Sequence, residues 1–183
     1  NVADDMYIYS SGKQSTITGK NEKDSALTVN AGKIKEFWLQ NVEVARPNIN
    51  NGSEWTAVSL NDVWVNSFVL YGDTVINGNI NVTDANGFGL KNESAKGAEA
   101  IKGNINIQGT GKANLSGDFT SQIINVNQGA EVYLAGSKLG KDSKIVVNSS
   151  AAKLFLDTLD LAADKPTILA AAKDVQIYVS NNV

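Results

Sequence analysis

Cysteine and histidine are both absent from the 183 residues of this chain. Without cysteine there are no disulfides and no thiolate metal sites. Without histidine the usual general base near neutral pH is missing, and so are the Ser-His-Asp and Cys-His nucleophile systems. Arginine occurs once, at Arg46, and the formal net charge is -3. Nucleic-acid binding needs clustered Lys and Arg to displace counterions from phosphates, so a nucleic-acid partner is not expected. No apolar run approaches the ~20 residues that span a bilayer, which argues against membrane insertion of this segment. No basic-then-apolar leader precedes the first strand signals after Asn1, so the sequence reads as a mature chain or as a segment excised from a longer surface protein.

Proline occurs twice and aromatics make up 7 % of residues, whereas glycine occurs 16 times and asparagine is abundant. Gly and Asn accept left-handed backbone conformations and make turns without strain. Between the turns lie short β-branched runs, at 6–9, 25–30, 34–44, 57–60, 62–71, 74–77, 79–83, 101–108, 113–115, 122–127, 131–135, 144–148, 153–161, 167–170 and 175–180. These are strand signals. No window of helical length carries a 3.6-residue apolar period. The best helix candidate is the Ala-rich stretch 159–172, and Pro166 interrupts it. Hydrophobic content of 42 % against 19 % charged residues is enough to exclude general disorder.

Internal repeats organise these strands. Gly78-Asn79-Ile80-Asn81-Val82 returns as Gly103-Asn104-Ile105-Asn106-Ile107, and Trp38-Leu39-Gln40-Asn41-Val42 resembles Trp64-Val65-Asn66-Ser67-Phe68. Leu27-Thr28-Val29-Asn30 resembles Ile124-Asn125-Val126-Asn127 and Ile145-Val146-Val147-Asn148. The unit is an apolar-x-apolar-Asn strand, a turn of small residues and a second strand, with a period of about 19 to 26 residues. That unit predicts an all-β, right-handed parallel β-helix (β-solenoid) of about eight coils, as one domain over residues 1–183. Asn30, Asn127 and Asn148 are expected at stacked turn positions. Stretches 46–56, 84–99 and 136–143 read as inserted loops. An antiparallel β-sandwich would match the strand density, with hairpin turns at Asn51-Gly52, Asn77-Gly78 and Asn86-Gly87, but would not repeat strand-turn-strand units in one phase.

The segments 78–82, 103–107, 113–117 and 124–134 resemble the passenger domains of bacterial autotransporters and related β-helical surface adhesins. The resemblance covers about residues 25–161. It implies a non-enzymatic protein, secreted or on the bacterial cell surface, that adheres to cells, matrix or itself. A protein or glycan surface ligand and self-association are the partners it suggests.

The chemistry-bearing residues are few. The nearest acidic pairs are Asp4-Asp5, Asp157/Asp160 and Asp62/Asp73. Polysaccharide hydrolases need paired acids at set separations, and no acidic cluster recurs here at coil spacing, so these acids read as solvated surface charge. Neither the EF-hand pattern nor the Gly-Gly-x-Gly-x-Asp nonapeptide is present. No catalytic residue, metal site or cofactor is expected. The tryptophans remain as candidate ligand-binding residues. Phe37 and Leu39 should point inward and Trp38 outward, and Val63 and Val65 inward and Trp64 outward. Trp38 and Trp64 would then lie one coil apart as a platform for a sugar ring or a partner, with Trp55 folding over them from the 46–56 insertion. The alternative is that all three rings form a satellite apolar cluster. Asn-x-Ser/Thr sequons occur at Asn51, Asn81, Asn92, Asn114 and Asn148, as expected by chance in a chain this rich in Asn, Ser and Thr.

Overall fold

The computed structural model describes residues 4–19, 25–45, 55–134, 136–158 and 167–181. They form a parallel β-solenoid in which every coil lays its strands on those of the coil before. On a broad flank the rungs are β1 (Asp4–Tyr9), the second half of β3 (Leu27–Gln40), the second half of β5 (Thr56–Gly72), β8 (Gly87–Ser94), β10 (Ala113–Asp118), β12 (Glu131–Tyr133), β15 (Lys153–Thr158) and β17 (Gln176–Asn181). On a narrow flank the first halves of β3 and β5 are followed by β7 (Asn79–Thr83), β9 (Ile105–Gln108), β11 (Ile123–Val126), β14 (Lys144–Val147) and β16 (Thr167–Ala170). A short third face stacks β2 (Ser15–Thr18), β4 (Val42–Ala45) and β6 (Val75–Ile76), and Ile76 bridges to Ile101. A two-residue strand, β13 (Ser137–Lys138), continues the pairing of β10 at Gly117 and Asp118.

Alternation explains why these segments stack. Along β7 the residues Ile80 and Val82 are buried while Asn79, Asn81 and Thr83 are half-exposed. Ile80 pairs with Ile105, Ile105 with Ile124, and Ile124 with Ile145. Val82, Ile107, Val126 and Val147 form a second interior column. On the broad flank the rings of Phe37 and Phe68 stack at 4.7 Å and 16° inside the core. Each coil thus buries aliphatic area only because its neighbour supplies the same residue type at the same height.

The corner between the narrow and broad flanks recurs in the backbone. Ala31, Asp62, Asp84 and Gly109 follow residues that pair across coils, and their φ angles are 60°, 48°, 52° and 64°. Asp and Gly accept this left-handed conformation, whereas alanine is strained in it. Buried polar side chains close the corner at which the chain leaves the broad flank. Thr74 Oγ1 donates to Leu39 O at 2.9 Å, Gln122 Nε2 to Ile101 O at 2.6 Å and Ser143 Oγ to Phe119 O at 2.7 Å. Carbonyls that the strand ladders leave over are satisfied in this way.

Several expectations need correction. The described residues make about six turns, with eight rungs on the broad flank and seven on the narrow one. The early coils are longer than the repeats suggested: Ile8 pairs with Leu39 and Leu39 with Leu70, 31 residues apart each time. Stretch 84–99 is not a loop. It supplies the rung β8 and only one 3-10 turn, Gly97–Ala100. Stretch 136–143 likewise contains β13. Of the helix candidate 159–172, the described portion includes the strand Thr167–Ala170, and 159–166 lies outside the described residues. Of the insertion expected at 46–56, residues 46–54 also lie outside them.

Two stability changes follow. Ile105 is fully buried between Ile80 and Ile124, so Ile105→Ala should lower unfolding free energy by about 2–5 kcal/mol. Ala31→Gly should raise it by about 0.5–1 kcal/mol, because relief of the left-handed strain exceeds the added chain entropy. Urea denaturation of both variants checks the pair.

Candidate binding surfaces

The tryptophans point as alternation requires, but they do not assemble into one platform. Phe37, Leu39, Val63 and Val65 are buried, and Trp38 and Trp64 are half-exposed. The 31-residue coil sets Trp38 opposite Val69 and Trp64 opposite Lys33, so the two rings sit in different columns. Trp64 leans over Gly87 of the next coil, where an added Cβ would stand 2.9 Å from its Cδ1. Trp55 is 3 % exposed and belongs to the core; it lies against Gly78, whose Cβ would meet its Cε3 at 2.9 Å. A ring so enclosed offers no face to a sugar.

Trp38 instead gathers a different group. Its ring stacks on Tyr7 at 6.3 Å and 23°, and meets Tyr71 edge-on at 5.8 Å and 64°. Tyr9 pairs with Gln40, and Gln40 with Tyr71, so a second outward column runs beside the first. Tyr7, Tyr9 and Tyr71 are 55 %, 69 % and 44 % exposed. Glu36 stands among them: Tyr7 Oη donates to its Oε2 at 3.4 Å and Trp38 Nε1 donates to the same oxygen at 3.1 Å. Partial desolvation, followed by the negative charges of Asp5 and Glu36, pushes the Tyr7 phenol above the ordinary value of 10.0. The result is an acidic, aromatic patch at the first coils of the broad flank, with amphipathic rings of the kind that dominate protein contacts.

A second aromatic row lies at the last coils of the same flank. Tyr133 and Phe155 stack at 4.1 Å and 3°, and Phe155 and Tyr178 at 4.6 Å and 8°. Lys112 Nζ sits 4.9 Å from the Tyr133 ring centre, and Lys153 Nζ bonds Glu131 Oε1 at 2.7 Å beside it. Within the row the facing rings are spent on one another and Lys112 lies over Tyr133, so the row braces successive coils. Its signature was readable: Glu131-Val132-Tyr133, Lys153-Leu154-Phe155 and Gln176-Ile177-Tyr178 repeat one motif at coil spacing.

Asparagine rows mark the narrow flank. Asn61 Nδ2 donates to Asn30 Oδ1 at 2.8 Å, and Asn148 Nδ2 to Asn127 Oδ1 at 2.9 Å, at the turn positions expected for Asn30, Asn127 and Asn148. A second row, Asn81, Asn106 and Asn125, is joined by side-chain hydrogen bonds of 2.7 Å each, Asn106 Nδ2 donating to Asn81 Oδ1 and Asn125 Nδ2 to Asn106 Oδ1. Asn92 of the sequons is 5 % exposed and donates to Gly97 O and Asp118 O, so a glycan there would require the coil to open.

Among the acids, Asp62 and Asp73 are exposed, and Asp73 pairs with Lys96 at 3.0 Å. The side chains of Asp4 and Asp157, and all of Asp160, lie outside the described residues. Among the described residues no group of three or more Asp or Glu side chains is arranged to hold a metal ion, and no helix is long and apolar enough to cross a membrane.

No family model, curated protein or solved structure matches the chain.

The Tyr7–Glu36 contact gives a titration with a definite sign. In Glu36→Gln one of the negative charges that hold the phenol protonated is gone, so Tyr7 should ionise closer to 10.0. Because the folded pKa is the raised one, the contact stabilises below the ordinary phenol range and is lost as pH climbs through the folded value. Ultraviolet difference titration of Glu36→Gln against the parent, with Tyr7→Phe to identify the signal, measures the downward shift.

Proposed function

We propose that this protein is a non-enzymatic adhesive scaffold, secreted or held at a bacterial cell surface, that contacts cells, matrix or other copies of itself. The observation that carries the proposal is the exposed Tyr7, Tyr9 and Tyr71 around Trp38, displayed on a stiff stack of coils. Their rings supply contact area at low conformational-entropy loss, and Glu36 adds a fixed acceptor beside them. A rod of eight rungs at ~4.8 Å spacing holds such a patch ~34 Å from the opposite end. The winding is taken as right-handed, the hand in which parallel crossovers pack. The resemblance of 78–82 and 103–107 to autotransporter passenger phrases agrees with this reading. A glycan platform built from Trp38, Trp55 and Trp64 is less favoured, since Trp55 is buried and the other two rings occupy different columns.

Beads coated with the protein provide the test. They should bind cell monolayers, matrix proteins or one another, and a Tyr9→Ala/Trp38→Ala/Tyr71→Ala variant should bind at least about tenfold less, the loss of one modest contact in free energy. Alanine replacement of Asp62/Asp73 and of Asp157/Asp160 should leave adhesion in place. Absence of binding to all three surfaces, or loss on changing either of these acidic pairs, would contradict the proposal.

A further inference from the structure

The outward side of the narrow flank has a composition found nowhere else on the described surface. Five successive rungs, residues 27–30, 56–61, 79–83, 105–108 and 123–126, carry no ionisable side chain and no aromatic ring. Their central outward column reads Thr28, Ser59, Asn81, Asn106, Asn125. Beside it run Thr56, Asn79 and Asn104, where Asn79 Oδ1 accepts from Asn104 N at 2.7 Å. The strip is neutral and dense in hydrogen-bonding groups. It is about 19 Å long, from four rung spacings of ~4.8 Å.

The amides are held in one orientation. Asn81 Nδ2 donates to Thr56 Oγ1 at 2.8 Å, Asn106 Nδ2 to Asn81 Oδ1 at 2.7 Å and Asn125 Nδ2 to Asn106 Oδ1 at 2.7 Å. An amide nitrogen carries two hydrogens and its oxygen two lone pairs. Asn106 therefore spends one donor and one acceptor within the row, and keeps one of each for a partner. Asn81 and Asn106 repeat the same pair one rung apart. Groups already fixed in place lose little entropy when a partner arrives.

The chemistry selects the partner. A nucleic acid or other polyanion would need cations that these rungs lack. An apolar protein surface would need a cluster of aromatic or aliphatic anchors. These rungs carry no aromatic ring and only Ile123 as a half-exposed aliphatic at an outward position beside fully buried neighbours, with Leu27 and Val29 partly covered in the first rung. A second copy of the chain shares the rung spacing, but a strip ~19 Å by ~16 Å offers roughly 300 Å² per partner. A stable protein pair needs about 800 Å² on each side. What remains is a slender neutral polymer that offers donor and acceptor hydroxyls again and again along its length. We propose that the outward face of the narrow flank, centred on Asn106, binds a neutral, extended polysaccharide lying along the solenoid axis. This site is on a different flank from the aromatic patch and does not depend on the adhesive reading.

The test is retention of the intact chain on cellulose, chitin, xylan and β-1,3-glucan, with polygalacturonate as the anionic control. Retention on at least one neutral polymer is expected, at low and at high salt alike, and none on polygalacturonate. Asn106→Thr should weaken it by about tenfold, the equivalent of a hydrogen bond or two. Thr28→Arg/Ser59→Arg, at outward positions that leave the amide row intact, should weaken it as well, and serves if Asn106→Thr fails to fold. Circular dichroism and a cooperative urea transition report that each variant is folded, independently of any adhesive activity. No retention on any neutral polymer, retention indifferent to the folded variants, salt-sensitive binding to polygalacturonate, or a dimer in solution that Asn106→Thr dissolves would each overturn the proposal.

Discussion

The hydrogen-bond ladder between successive coils is the constraint on which the rest of this molecule depends. A parallel in-register ladder places residue i of one coil directly over its equivalent in the next. Every column must then tolerate its own chemistry at about 4.8 Å. Aliphatic columns such as Ile80, Ile105, Ile124 and Ile145 satisfy this inside. Outside, amides satisfy it by bonding head to tail, as in Asn81, Asn106 and Asn125, and aromatics by stacking, as in Tyr133, Phe155 and Tyr178. Like charges cannot, and charged residues stand beside an opposite charge, as Glu131 beside Lys153, or beside uncharged residues, as Lys144 between Ile123 and Thr167.

The same constraint decides where glycine stands. Gly72 lies over Asn41, whose Oδ1 accepts from Asp73 N at 3.0 Å while its Nδ2 reaches Ser10 O at 3.2 Å. Asn41 thereby ties three coils at one corner, and a side chain at position 72 would collide with it. Gly103 lies against the backbone of Gly78, so this pair marks a column too tight for any Cβ. The repeated Gly-Asn-Ile phrase is therefore steric before it is anything else. The end coils differ from the middle: Met6 and Ile177, which lie in interior columns, are 37 % and 39 % exposed, whereas Ile105 is fully buried.

Sequence pattern was sufficient for the strand class, the parallel stacking and the Asn30, Asn127 and Asn148 turn positions, because each rests on period-two alternation plus a repeat of 19 to 25 residues in the later coils. It misled where coil length changed. The pairing of Trp38 with Trp64 assumed a 26-residue step, and the early coils use 31, which a short similarity of apolar residues cannot reveal. Variation in coil length makes stretch 84–99 read as an inserted loop, yet Gly87 and Gly89 are strand residues that make room for Trp64 and the Asn66 carbonyl. The patch around Trp38 was only half visible. Tyr7 and Tyr71 come from coils on either side, and nothing local in the sequence says that they converge.

Because the chain has no cysteine, an introduced pair reports on its own geometry without interference. Thr83 and Gln108 face each other across the β7–β9 ladder, at a separation a disulfide accepts in parallel neighbours. In a Thr83→Cys/Gln108→Cys variant, mild oxidation should give a near-complete intramolecular disulfide, while Thr83→Cys/Asn106→Cys, two residues out of register, should not close. Closure of the second pair in preference to the first would show that successive coils do not stack in this register, and the account would fail with it.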